Sequence, residues 1–113
     1  RDPAAELGIR EVTLPQARSM IEGGALVIDV RDAAVARASH VPGAILIPLE
    51  VLRSSLSQVG ADRARPIVVY CGDGARRGPE ATAVLNQAGY ANAVNLKGGI
   101  EGWRSHGLAT ASR

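Results

Sequence analysis

Short apolar runs alternate with amphipathic stretches along this chain. The runs are "ALVIDV" (25–30), "AILIP" (44–48), "PIVVY" (66–70) and "AVNL" (93–96). Each is short and is bounded by charge, proline or glycine, the pattern of a strand covered on both faces. Between them lie helical signals. In "TLPQARSMIEGG" (13–24), Thr13 is a cap candidate, Leu14, Ala17 and Ile21 share a face, and two glycines close the segment. "DAAVARAS" (32–39) predicts a short helix, and "HVPGA" (40–44), with His40, predicts a turn. "PLEVLRSSLSQV" (48–59) places Leu49, Leu52 and Leu56 at helical spacing. "PEATAVLNQAG" (79–89) is the clearest helix. Pro79 suits its first position, Ala81, Val84, Leu85 and Ala88 form its apolar face, and Gly89 suits its stop. "IEGWRSHG" (100–107) predicts a last short helix. Strands alternating with helices predict a three-layer α/β domain, with a mainly parallel sheet of about five strands flanked by helices. Residues 1–10 read as a flexible lead-in, or as the trimmed end of a longer chain, and 11–110 as one domain.

Composition agrees with that picture. A chain of 113 residues, 46% hydrophobic and 21% charged, suits one globular domain. A net charge of +2 is too small to argue for nucleic acid, and one Trp with two Tyr offers no stacking platform. No apolar run approaches the ~20 residues of a membrane span. The expectation is a soluble protein, with cytoplasm and periplasm both open. A single cysteine excludes an internal disulfide and a zinc site built from several cysteines.

That cysteine carries the candidate chemistry. Cys71 follows the third apolar run, and "GDGARRG" (72–78) leads from it into the clearest helix. In open α/β sheets, ligands bind beyond the carboxyl ends of the strands. Helix N-termini and glycine-rich turns present free amides, and Arg76 and Arg77 add positive charge. All three favour a thiolate, and so a nucleophile facing an anion pocket. The plain alternative is an inert buried thiol. The missing Gly-Lys-Ser/Thr ending rules out a P-loop.

Five stretches resemble the rhodanese-like domains: "VIDVRD" (27–32), "SHVPGAILIPL" (39–49), "PIVVYCGDGARR" (66–77), "AGYANAVNLKGG" (88–99) and "IEGW" (100–103). The resemblance implies a sulfurtransferase. Its cysteine would take the outer sulfur of thiosulfate as a persulfide and pass it to cyanide or a thiol. Carried over, Cys71 is the nucleophile, and Gly72, Asp73, Gly74, Ala75, Arg76 and Arg77 form the cradle for the substrate. Asp29 and Arg31 match the family's "DVR" and are expected to support the site as an ion pair, while Trp103 is expected to pack. No cofactor and no metal are implied. The expected partners are a small anionic sulfur donor and a thiol or cyanide acceptor, or else a protein acceptor, with neither nucleic acid nor membrane.

The chain also departs from the family pattern. Val35 stands where glutamate is frequent, and Ser39 where glycine is. Arg76 satisfies Cys-x4-Arg, but Arg77 occupies the place of a serine. Read as Cys-x5-Arg followed by Gly-Pro, the loop resembles dual-specificity phosphatases and arsenate reductases, although Tyr70 replaces their usual histidine. A non-catalytic regulatory module is the third alternative.

Overall fold

A computed structural model describes residues 2–113. Five parallel strands form one sheet in the order β1-β5-β4-β2-β3: β1 (Glu11–Val12), β2 (Leu26–Asp29), β3 (Ile45–Leu46), β4 (Ile67–Tyr70) and β5 (Ala93–Leu96). Helices lie on both faces: α1 (Pro3–Leu7), α2 (Leu14–Glu22), α3 (Ala33–Ala38), α4 (Arg77–Gln87) and α5 (Gly99–Ser105). The expected α/β architecture is therefore present, and its sheet is wholly parallel. Among the described residues, no helix is long and apolar enough to cross a membrane.

Period-two alternation divides the core. Leu26, Ile28, Val30, Val69 and Cys71 face Ala81, Val84 and Leu85 of α4. Val27, Val68 and Tyr70 face Ala17 of α2 and Ile100 and Trp103 of α5. Each fully buried aliphatic side chain contributes about 1.5–3 kcal/mol, which is why the four residues of β2 and of β4 suffice to anchor the sheet.

Thr13 caps α2 in a capping box. Its Oγ1 accepts the Gln16 amide at 3.3 Å, and Gln16 Oε1 accepts the Thr13 amide at 2.9 Å. Trp103 packs, with its indole N–H donating to Ala109 O at 2.8 Å.

Several expectations need correction. Residues 3–7, read as part of a flexible lead-in, form α1, capped by Asp2 and with Ala4 buried. The segment 48–59 is not an α-helix but two 3₁₀ turns, Leu49–Ser54 and Leu56–Gln58. Leu49 and Leu52, three apart, fit a three-residue period equally well. Helix α4 begins at Arg77, two residues before Pro79, because proline's missing N–H is harmless anywhere in the first turn. His40, expected in a turn, is instead a buried residue bridged antiparallel to Ala111, with Nδ1 bonded to Ala36 O at 2.7 Å; the turn falls at Pro42 and Gly43.

Candidate active site

Cys71 follows β4 directly, at the carboxyl end of the sheet, and residues 71–76 loop into α4. The thiol is 2% exposed, and its Sγ accepts the Gly74 amide at 3.2 Å. Gly74 sits at φ +77°, and a Cβ there would lie 2.7 Å from Gly98 N and 2.8 Å from Leu96 O. Only glycine fits both the conformation and the space.

Three of the loop's carbonyls are bonded to neighbouring elements. Cys71 O accepts the Ile100 amide at 3.0 Å, and Gly72 O accepts the Glu101 amide at 2.9 Å. Gly74 O accepts Asn95 Nδ2 at 3.0 Å. The first turn of α5 and one side chain of β5 thus hold the loop from below. The Ala75 amide donates to Asp73 Oδ1 at 2.9 Å, so Asp73 occupies one amide that the sequence assigns to the substrate cradle.

The loop opens on a cavity of ≈ 490 Å³ at the carboxyl ends of β2 and β4. Cys71, Gly72, Asp73, Arg76 and Arg77 line it, but Gly74 and Ala75 do not. The two arginines differ. Arg77 Nη2 donates to Glu50 Oε1 at 2.8 Å, to Asp32 Oδ1 at 3.3 Å and to Val30 O at 3.4 Å. Its Nε is buried without a partner. A bond from its own backbone amide holds the Glu50 carboxyl below the ordinary carboxylate range. Desolvation opposes that, and Arg77 adds to it. Arg76 is exposed at the helix N-cap and, among the described residues, makes no side-chain hydrogen bond or ion pair. Glu101 and Asp32 bring carboxylates to the same cavity.

Asp29 and Arg31 form a buried bidentate pair, with Nη2–Oδ2 at 2.7 Å and Nε–Oδ1 at 3.1 Å. Arg31 also donates to Ser39 O at 2.6 Å. The sheet register sets Asp29 directly beside Tyr70, whose hydroxyl donates to Asp29 Oδ2 at 2.5 Å and accepts the Val41 amide at 3.0 Å. Burial alone would lower the Arg31 pKa, but the bonds and charge of Asp29 outweigh it and the net shift is upward. Burial first, then Asp29, pushes the Tyr70 phenol strongly upward, so it stays protonated. This network braces the floor between β2 and β4 beside the cavity.

The sequence reading missed Asn95, which bonds the cysteine loop at Gly74 O, its partner Glu11, and Gly78, which packs close to Cys71. Asn95 interrupts an otherwise apolar strand, and that polar break was the available signal.

A loop carrying a free, buried cysteine between a parallel strand and a helix N-terminus marks the candidate site of this α/β domain. Residues 13–106 match the model of the rhodanese-like domain, and the chain belongs to that family. It is 37% identical over 83 residues to a sulfurtransferase of Allochromatium vinosum, covering 74% of this chain and 75% of that protein. It is 36% identical over 90 residues to the thiosulfate sulfurtransferase GlpE of Pseudomonas fluorescens, covering 80% of each. A human single-domain sulfurtransferase has a similar structure, with TM-score 0.76 and 30% identity, covering 84% of this chain and 95% of that one. Family and relatives together support sulfurtransferase activity.

Proposed function

We propose that this protein is a thiosulfate sulfurtransferase working through a persulfide on Cys71. The Cys71 thiolate attacks the outer sulfur of thiosulfate. A new S–S bond forms to Cys71, and the donor's own S–S bond breaks, its electron pair leaving on sulfite. Cyanide or a small thiol then attacks the outer sulfur of the persulfide. A C–S or S–S bond forms there, and the Cys71 thiolate is restored as leaving group. No external oxidant or reductant enters.

One observation carries the reading: the Gly74 N–H meets Cys71 Sγ at 3.2 Å while the carbonyls of Cys71, Gly72 and Gly74 are bonded elsewhere. Such a cup stabilises negative sulfur, first as thiolate and then as persulfide. Arg76, free at the helix N-terminus, is the group best placed to hold the donor's sulfonate. Asp29 and Arg31 support the floor, and Arg31 also lines the cavity.

Intact mass spectrometry after incubation with thiosulfate tests this. The expected result is a gain of one sulfur atom, absent in Cys71→Ser and lost on adding cyanide as thiocyanate appears. An unmodified wild-type mass would overturn it and direct attention to phosphate and arsenate chemistry on the same loop.

A further inference from the structure

Asn95 is fully buried in β5. Its Nδ2 carries two hydrogens, and both are used: one reaches Glu11 Oε2 at 2.8 Å, the other Gly74 O at 3.0 Å. Both partners are pure acceptors, so the amide has one satisfactory orientation. Oδ1 is left buried and without a partner. Oδ1 and the sulfur both border Gly78: a Cβ there would sit 2.2 Å from Asn95 Oδ1 and 3.2 Å from Cys71 Sγ. An aliphatic residue would fill this strand position without a costly orphan acceptor. Packing therefore does not account for the amide.

Its donors do. Gly74 is gripped at both ends, by Asn95 on its carbonyl and by Cys71 Sγ on its amide. A glycine released at the carbonyl can rotate its N–H off the sulfur. Glu11 belongs to β1, outside the 13–106 stretch that matches the family model. We infer that Asn95 is a positioning residue for the nucleophile, holding the Gly74 N–H on Cys71, and that Glu11 orients Asn95 from the N-terminal segment. The inference rests on Cys71 being the reactive thiol.

Three variants test it: Asn95→Leu, Glu11→Leu and Glu11→Gln. The two Glu11 variants remove the same charge, but only Glu11→Gln keeps an acceptor for Asn95. The readout is the rate of Cys71 alkylation by iodoacetamide across pH, with the melting temperature alongside. The charged groups facing the thiol (Arg31, Asp32, Asp73, Arg76, Arg77 and Glu101) are the same in every variant. Losing one amide from a thiolate is expected to slow alkylation at neutral pH about tenfold in Asn95→Leu and move its pH midpoint upward. Glu11→Leu should shift the midpoint in the same direction, and Glu11→Gln should match wild type. Wild-type midpoints in both leucine variants, or equal shifts in the two Glu11 variants, would overturn the inference. Should Asn95→Leu fail to fold, the Glu11 pair decides alone. Alkylation needs no sulfur donor, so it stays readable even if thiosulfate proves not to be a substrate.

Discussion

Arg77 donates to Glu50 at 2.8 Å, joining the first residue of α4 to the 3₁₀ segment after β3. Its neighbour Arg76 also lines the cavity but, among the described residues, has no side-chain partner. Two adjacent arginines therefore divide into a latch and a free cation. Arg76→Ala should raise KM for thiosulfate about three- to tenfold, the scale of one lost charge-assisted bond to an anion in a wet cavity, without moving the melting temperature. Arg77→Ala should leave that KM near wild type. It should lower stability by no more than about 1 kcal/mol, because its carboxylate partners are exposed. Steady-state kinetics and thermal melts of the two variants check this. A larger KM effect from Arg77 would assign the anion contact to the longer, Cys-x5-Arg loop.

The Tyr70 hydroxyl serves two buried partners, Asp29 and the Val41 amide. Tyr70→Phe leaves both short of a bond and should cost about 1–3 kcal/mol. The variant should also change the alkaline limb of stability. Tyr70's phenol is pushed up by burial and by Asp29, so the folded state keeps a proton that the unfolded chain loses near its ordinary value of about 10. The folded state binds more protons above that pH, so this contribution is complete below about pH 10 and declines as pH rises beyond it. Denaturant melts between neutral pH and pH 11 should show wild type losing stability faster than Tyr70→Phe. Parallel slopes would mean that Tyr70 ionises alike in both states.

Gly78 is required by crowding rather than by backbone angle. A methyl group there meets Asn95 Oδ1 at 2.2 Å and crowds Cys71 Sγ at 3.2 Å. Neither neighbour is a flexible chain end, so the start of α4 must move. Gly78→Ala should destabilise by about 1–3 kcal/mol and slow Cys71 alkylation, as measured by melts and by iodoacetamide labelling. An unchanged alkylation rate would show that the loop absorbs the shift without disturbing the thiol.

The local parts of this architecture were legible from the sequence, and the distant ones were not. "ALVIDV" and "PIVVY" gave β2 and β4 because a strand buried on both faces needs an unbroken apolar run. Thr13 announced α2 because its capping partner Gln16 is three residues away. Strand β1 has only two residues and no period to detect, and its Glu11 reaches a partner 84 positions along the chain. The cysteine loop stood out as a glycine-rich turn between a strand and a helix. Which arginine is free could not be read there, because that depends on Asp32 and Glu50, which the chain brings in from two other segments.

Glu101 shows how charge at the cavity mouth bears on the donor. Its amide holds Gly72 O, its Oε2 lies 3.7 Å from where a Gly72 Cβ would be, and it lines the same cavity as Cys71. Arg31, Arg76 and Arg77 line the same cavity, but Asp32, Asp73 and Glu101 equal them in number. If the donor is the proposed dianion, this carboxylate adds repulsion at the cavity it enters. Glu101→Gln keeps the backbone bond and the shape and removes one repulsion. At low salt it should raise kcat/KM for thiosulfate about two- to fivefold, a gain that shrinks as ionic strength shortens the Debye length to about 8 Å. For a neutral donor the same variant should change little. Kinetics with both donors across a salt series separates the cases. An equal gain for charged and neutral donors would mean that Glu101 obstructs by bulk and not by charge.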